Sequence, residues 1–298
     1  MAGIVAIHRV HRVLDIYVLD KSRMGPGSGY KLRHLLDRLT LRGQPWTLCD
    51  ARDIGRRQGA RAFLHVDLSN DPPEFSALTQ HYDRVINGHA SSIDRRLYSV
   101  ARVLQDQACD GPVIVKSIFN HRGSSELRHA EKHDFYPRLR RSVLKIVYPG
   151  YRKKLCPPYR VFKHIDEVPR SVWSNPALIV EKFLADPAAP SITKWRWDFC
   201  LDEGITTEAV FSDPLCQPES MLSVGTQPAP PAEIAALRSK MRLDYGSIDF
   251  FMTPAGAVPI DVNKTVVVTR SWVDTQAFLQ GHLDRSADAL ARFARTEQ

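Results

Sequence analysis

A chain of 298 residues with 43% hydrophobic and 25% charged residues has the make-up of a folded soluble protein and exceeds a single core, so two or three packed lobes are expected. No run approaches the roughly 20 apolar residues that span a bilayer. His8, Arg9, His11 and Arg12 interrupt the one stretch that imitates a signal peptide, so a cytoplasmic protein with no membrane partner is expected. Cys49, Cys109, Cys156, Cys200 and Cys216 are odd in number and contain no Cys-x-x-Cys pair, which indicates neither a disulfide framework nor a thiolate zinc site. The formal net charge of +8 is concentrated: residues 121–163 hold twelve Lys and Arg against Glu126, Glu131 and Asp134. Such a field draws in anions. Nucleotide phosphates, an acidic substrate or a solvated helical face would each account for it. Nucleic acid is the weaker reading, because aromatics are lightly interleaved and no RNA-binding signature is present.

In chain order, residues 15–20 form a buried strand, followed by a Gly/Pro/Ser loop at 25–29 and a helix over 30–42 with Leu32, Leu35, Leu36 and Leu39 at helical spacing. Residues 46–49, 62–66 and 84–86 are further short strands, and strands alternating with helices imply a small parallel α/β domain. Gly25, Gly27 and Gly29 lack the spacing of a dinucleotide fingerprint and are read as a permissive turn. Ile93, Leu97, Val100 and Leu104 predict a linking helix over 93–107, with Ser92 as N-cap. A strand at 112–117 ends on Lys116, a polar turn follows at 119–126, and strands at 159–162 and 178–184 flank a helix over 166–173. Residues 195–201 and 208–211 are strands joined by a turn at 202–204. Residues 213–231 carry five prolines and are read as a loop. A helix over 231–242 and a closing helix over 284–295 complete the pattern.

Between those last helices lies Gly-Ser-Ile-Asp-Phe-Phe-Met-Thr-Pro-Ala-Gly-Ala-Val-Pro-Ile-Asp-Val-Asn, residues 246–263. Its two apolar stretches around Thr253 to Gly256 predict a hairpin. Side chains two apart on a strand share a face, so Asp261 and Asn263 point the same way and the hairpin can bring Asp249 beside them. Two carboxylates and an amide oxygen suit a hard cation such as Mg²⁺, with Mn²⁺ as the alternative. Taken alone, Asp-Val-Asn also reads as a polar strand end in solvent.

The order of these motifs over residues 85–270 resembles the ATP-grasp superfamily, which includes glutathione synthetase, D-alanine ligases and ribosomal-protein glutamate ligases. Lys116 looks like the family's strand lysine that reaches nucleotide phosphates. The loop at 120–125, with Gly123, Ser124 and Ser125, resembles the small-residue loop over the β- and γ-phosphates, though it has one glycine where many relatives have several. Glu181, Lys182, Phe183 and Leu184 resemble the adenine-binding hinge. Arg196 occupies the place of the arginine that contacts the transferring phosphate; Asp198, on the same face, is an alternative partner that would hold it in a structural salt bridge. Arg95 or Arg96 falls where many relatives carry a further phosphate-binding lysine. Asp249, Asp261 and Asn263 match the family's metal-binding residues in order and spacing, with Asp261 replacing the more frequent Glu.

The resemblance implies an α/β ATP-grasp fold with an N-terminal parallel α/β domain at 1–92, a linking and basic lid subdomain at 93–175, and a C-terminal subdomain with the metal site at 176–298. It implies a carboxylate–amine ligase that uses ATP and Mg²⁺, acts through an acyl phosphate, and joins a small-molecule or peptide carboxylate to an amine. The alternatives are an ATP-grasp small-molecule kinase and a non-catalytic nucleotide- or RNA-binding protein. Asn87 and Arg270 are candidate substrate residues, and a homodimer is the default expectation.

Overall fold

The computed structural model describes residues 13–57, 59–133, 158–227, 229–268 and 276–295, together with Leu139 and Ser142. Arg270, Cys156 and most of the basic stretch 121–163 (134–138, 140, 141 and 143–157) lie outside the described residues.

Strands β1 (Leu14–Val18), β2 (Trp46–Cys49), β3 (Gly59–His65) and β4 (Tyr82–Ile86) form a parallel sheet in the order β2-β1-β3-β4. β1 is buried along its whole length, as a central parallel strand covered on both faces must be. Helix α1 (Lys31–Leu41) lays Leu32, Leu35, Leu36 and Leu39 on the sheet as one apolar stripe. The C-terminal helix, Ala277–Arg295, adds Leu279, Leu283, Ala287 and Leu290 to that core. It starts earlier than the sequence pattern suggested and is tied to α1 by Arg38 and Arg42, which pair with Asp284 and Asp288.

The second layer is a three-stranded antiparallel sheet of β5 (Val113–Ser117), β6 (Arg160–Phe162) and β7 (Leu178–Lys182), ordered β6-β5-β7. The third is a five-stranded antiparallel sheet of β8 (Ile192–Cys200), β9 (Glu203–Phe211), β10 (Met221–Gln227), β11 (Tyr245–Thr253) and β12 (Gly256–Asn263), ordered β10-β9-β8-β11-β12. Helices α2 (Leu78–His81), α3 (Ser124–His133), α4 (Arg170–Trp173) and α5 (Ala232–Lys240) complete the elements between the sheets.

Three expectations are corrected. The linking helix over 93–107 does not form: only a 3-10 turn at Arg95–Leu97 is present. Asp94, not Ser92, caps that turn, accepting the Arg96 amide at 2.8 Å. The chain beyond runs extended beside β7, where the Lys182 amide donates to the Ala101 carbonyl at 2.7 Å and the Val103 amide to the Val180 carbonyl at 2.9 Å. Leu97, Val100 and Leu104 are consequently exposed rather than a buried stripe. The proline-rich stretch 213–231 is not all loop, because β10 lies within it and pairs with β9. Its prolines stand at 214, 218, 228, 230 and 231, outside the strand, and an edge strand needs hydrogen bonds on one side only. The helix over 166–173 breaks into a 3-10 turn at Ile165–Glu167 and α4, since Pro169 has no amide proton to continue it.

The layers are locked by a buried charge cluster. Lys31, at the start of α1, pairs with Asp198 of β8, and His282 of the last helix lies 3.0 Å from Lys31 Nζ and 3.2 Å from Asp198 Oδ1. Asp198 therefore serves this junction and does not hold Arg196. Burial opposes its charge, but Lys31 and His282 outweigh burial and hold the carboxyl well below the usual range. Removing one partner strands a buried charge, so Asp198→Ala should lower stability by about 3–5 kcal/mol; a urea midpoint shifted by under about 0.5 kcal/mol would contradict a structural role.

His65 of β3 sits edge-on to Tyr30 and Phe63, and burial pushes its pKa from 6.5 down to about 4. The unfolded chain then binds a proton between those values while the folded chain does not, so stability falls as pH drops through this window. The expected loss is about 3 kcal/mol. His65→Gln should flatten that slope in urea titrations between these pH values, and an unchanged slope would assign it to other groups.

Candidate active site

The face of β8 opposite Trp195 and Trp197 carries Lys194, Arg196 and Asp198, because alternate side chains of a strand point the same way. Arg196 is opposite Asp249 in the β8–β11 register, and Asp249 is opposite Asp261 in the β11–β12 register. Arg196 holds Asp249 with two bonds, Nε to Oδ1 at 2.5 Å and Nη2 to Oδ2 at 3.1 Å. Lys194 Nζ stands 3.5 Å from the same carboxylate. Burial would raise the Asp249 pKa, and Arg196 and Lys194 outweigh it, leaving the carboxyl below its usual range.

Asp261 is held from the other side. Arg95, only 2% exposed, donates from Nη2 to Asp261 Oδ1 at 3.1 Å, from Nη1 to the Ile260 carbonyl and from Nε to the Ser117 carbonyl at 3.2 Å. Arg96 instead turns to the surface and pairs with Asp94. Of the two arginines, Arg95 is the one aimed at the hairpin.

Lys116, at the end of β5, pairs with Glu181 of β7 at 2.8 Å. Burial pulls the lysine below its ordinary value. It also opposes the Glu181 charge, which Lys116 and Arg95 outweigh, so that carboxyl falls below its ordinary value too. Lys116, Glu181, Lys182, Phe183, Leu184, Arg95, Asp249 and Asp261 all border one cleft between the second and third sheets, with Ile114, Phe251 and Ile260 as its apolar walls. In the hinge the amides of Lys182 and Phe183 are taken by the Ala101 and Pro112 carbonyls.

The loop after β5 has an uncommon backbone. His121, Arg122 and Gly123 are three consecutive left-handed residues, with φ of 45°, 61° and 78°. Two of them are not glycine, a conformation that persists only where surroundings enforce it. Asn120 supplies part of that enforcement: its Oδ1 accepts the His121 amide at 2.9 Å and its Nδ2 donates to Asn263 Oδ1 at 2.6 Å. Gly123 borders a second cavity that shares Lys116 with the cleft. Ser124 opens α3, and Ser125 turns away, donating to Asp67 of the first domain at 2.8 Å. Neither serine is brought to the cleft.

Asn87, a candidate substrate residue, is 1% exposed. Its amide oxygen accepts the Asp244 and Tyr245 amides at 2.9 and 3.0 Å, and its Nδ2 donates to the Tyr245 carbonyl at 2.9 Å. The side chain is fully occupied in joining β4 to β11. Lys194 and Tyr159 are cleft residues that sequence reasoning passed over. Lys194 had a signal, two residues before Arg196 on the same strand face; Tyr159, 3.4 Å from Arg95, had none.

Among the described residues no three His, Cys, Asp or Glu side chains stand together as a metal cluster. A cation on the hairpin would rest on Asp249, Asp261 and the Asn263 amide oxygen. Asn263 Nδ2 is 3.4 Å from Asp261 Oδ2 while its Oδ1 accepts from Asn120, so the two residues converge, and the amide must turn over to offer its oxygen to a cation beside Asp261. A few hard oxygens with room for phosphate and water fit Mg²⁺.

No family model and no curated protein matches the chain. Among solved structures, the ATP-grasp ligase PsnB, complexed with a phosphomimetic variant of minimal precursor, Mg and ADP, is similar over 94% of this chain and 98% of its own, with a TM-score of 0.54 and 10% identity. The chain has the ATP-grasp fold. Also similar are an ATP-grasp RimK domain protein from Sphaerobacter thermophilus (14% identity, 95% of this chain and 100% of that one, TM-score 0.47) and the D-alanine–D-alanine ligase of Bacillus anthracis (10% identity, 94% and 98%, TM-score 0.47).

Within this ATP-grasp fold the Arg196–Asp249 pair sets a measurable property. In Arg196→Met the opposing effect of burial should prevail, moving the Asp249 carboxyl pKa upward. Carboxyl ¹³C shifts followed against pH would read this, and an unmoved midpoint would leave Lys194 as the controlling charge.

Proposed function

We propose that this protein is an ATP- and Mg²⁺-dependent carboxylate–amine ligase that releases ADP and phosphate. The observation that carries the reading is the single cleft lined by Lys116, the hinge Glu181–Leu184, Asp249 and Asp261. It gives a nucleotide an apolar slot at one end and compensated carboxylates at the other. In this reading the base lies between Ile114, Phe183 and Phe251, facing the hinge backbone. Lys116, Arg95 and Lys194 face the phosphates, while Arg196 meets the transferring group.

The residues divide the work by their chemistry. Phosphoryl transfer needs position and charge neutralisation more than covalent help, and the cleft supplies cations on rigid strands. Arg95, Lys116, Lys182 and Lys194 line the cleft and Arg196 adjoins it, against Asp249, Asp261 and Glu181, an excess of two positive charges. Asp249, Asp261 and Asn263 would hold Mg²⁺, which when bound offsets charge on phosphate oxygens. An oxygen of the carboxylate substrate attacks the γ-phosphorus as the bond to the ADP oxygen breaks, giving an acyl phosphate. The amine then attacks the acyl carbon, phosphate leaves, and the amine loses a proton. The left-handed turn at His121–Gly123 presents backbone near Lys116, as a phosphate-covering loop requires.

Replacing Asp261 by Asn keeps its size, and Asn263→Ala removes the amide oxygen. The double variant should lose at least about 100-fold of Mg²⁺-dependent ADP release while its melting transition is retained. In the wild type, ADP release should need both a carboxylate and an amine. Turnover unchanged in the variant would sink the metal assignment, and a phosphorylated product formed without amine would replace the ligase with a kinase.

A further inference from the structure

Next to the nucleotide cleft, and sharing Lys194 and Cys216 with it, is a second cavity of about 370 Å³, a size suited to a small molecule. Its floor follows from strand register. Thr207, Ala209 and Phe211 alternate on one face of β9, opposite Arg196, Lys194 and Ile192 of β8, and Met221 of β10 lies opposite Phe211. Val267 and Val268, after β12, also line it. One end is therefore cationic, with the Thr207 hydroxyl beside Arg196, and the rest is hydrocarbon, aromatic ring and sulfur.

The charges at this cavity are unequal. Lys194 and Arg196 share one carboxylate, Asp249, which the ligase reading assigns to the metal. Arg196 uses Nε and Nη2 on Asp249, and its Nη1 has no hydrogen bond among the described residues. Lys194 Nζ also lies over the Phe211 ring, 5.1 Å from its centre. Among the described residues no Asp or Glu lines the cavity. Cys216, the one lining group that could become an anion, is kept a neutral thiol because burial pushes its pKa up to about 11. A ligand anion has two cations to meet here, whereas a ligand ammonium would be buried against apolar walls with no counter-charge among the described lining residues, at a large desolvation cost.

Resting on the ligase reading, we infer that the carboxylate substrate is a monocarboxylic acid with an apolar body and no α-ammonium group. Its carboxylate sits at Lys194 and Arg196, beside the phosphate end of the cleft. Its body lies over Ala209, Phe211 and Met221. Free amino acids and dicarboxylates are disfavoured: the first bring an unpaired ammonium, the second a carboxylate against hydrocarbon.

Calorimetric titration of the full chain tests this with 3-phenylpropanoate, phenylalanine and glutarate as probes, each with and without Mg·ADP. 3-Phenylpropanoate should bind at least about tenfold more tightly than either other probe. Met221→Glu, on an edge strand and outside the nucleotide cleft, should weaken it by about tenfold or more while Mg·ADP affinity is unchanged. Equal or tighter binding of phenylalanine or glutarate would overturn the inference, as would unaltered 3-phenylpropanoate binding in Met221→Glu protein that has a wild-type melting transition. Failure of Mg·ADP to bind the wild type would remove the ligase reading, and the nucleotide-free titrations would still decide what the cavity accepts.

Discussion

Two carboxylates placed opposite one another on neighbouring strands repel, and in this protein that repulsion organises the site. Asp249 on β11 faces Asp261 on β12, and Asp249 is nearly inaccessible to water. An unpaired buried carboxylate would take up a proton instead. Arg196 from β8 holds Asp249 as an anion, and Arg95, from the turn at Arg95–Leu97, pairs with Asp261. Because Arg95 also donates to the Ser117 carbonyl next to Lys116, the hairpin, the strand lysine and the linking segment form one connected unit. The cations that pair with these carboxylates are also suited to meet a polyanion.

The same logic recurs away from the cleft. Lys31, Asp198 and His282 join the first helix, the central strand of the large sheet and the last helix. Asp67 in the first domain accepts from Tyr30, Ser125 and Thr265, and pairs with Arg23. Lys264 pairs with Asp71. These contacts fix how the loop after β5 meets the N-terminal sheet, and they flank Val266 and Val268 of the segment after β12, which join the hydrophobic core of that sheet. Buried ionic contacts of this type tolerate little displacement, since each group left without its partner is costly.

Local patterns in the sequence carried much of the fold. The hairpin was legible because Pro254 and Gly256 separate two apolar stretches, and α1 because four leucines recur at helical spacing. The linking helix was misread for an instructive reason. Ile93, Leu97, Val100 and Leu104 have helical spacing, but the chain there is claimed by β7: backbone groups of Ala101 and Val103 pair with Lys182 and Val180, a long-range contact that periodicity cannot reveal. β10 was hidden by prolines that flank it without entering it. Arg95 and Arg96 are adjacent and chemically identical in sequence, and only the 3-10 turn, which aims one inward and the other out, separates them.

The sequence by itself determined most of the elements and their order, and residue types suited to phosphate and cation chemistry, because strand alternation and turn chemistry are local properties. Tertiary structure alone decided the partners: that Asp198 belongs to Lys31 rather than to Arg196, that Asn87 is consumed by the backbone of β11, that Ser125 faces the first domain, and that Lys194 joins Arg196 at the mouth of an apolar cavity. Charge pairing across sheets depends on register and packing between segments far apart in the chain. No short motif encodes those distances.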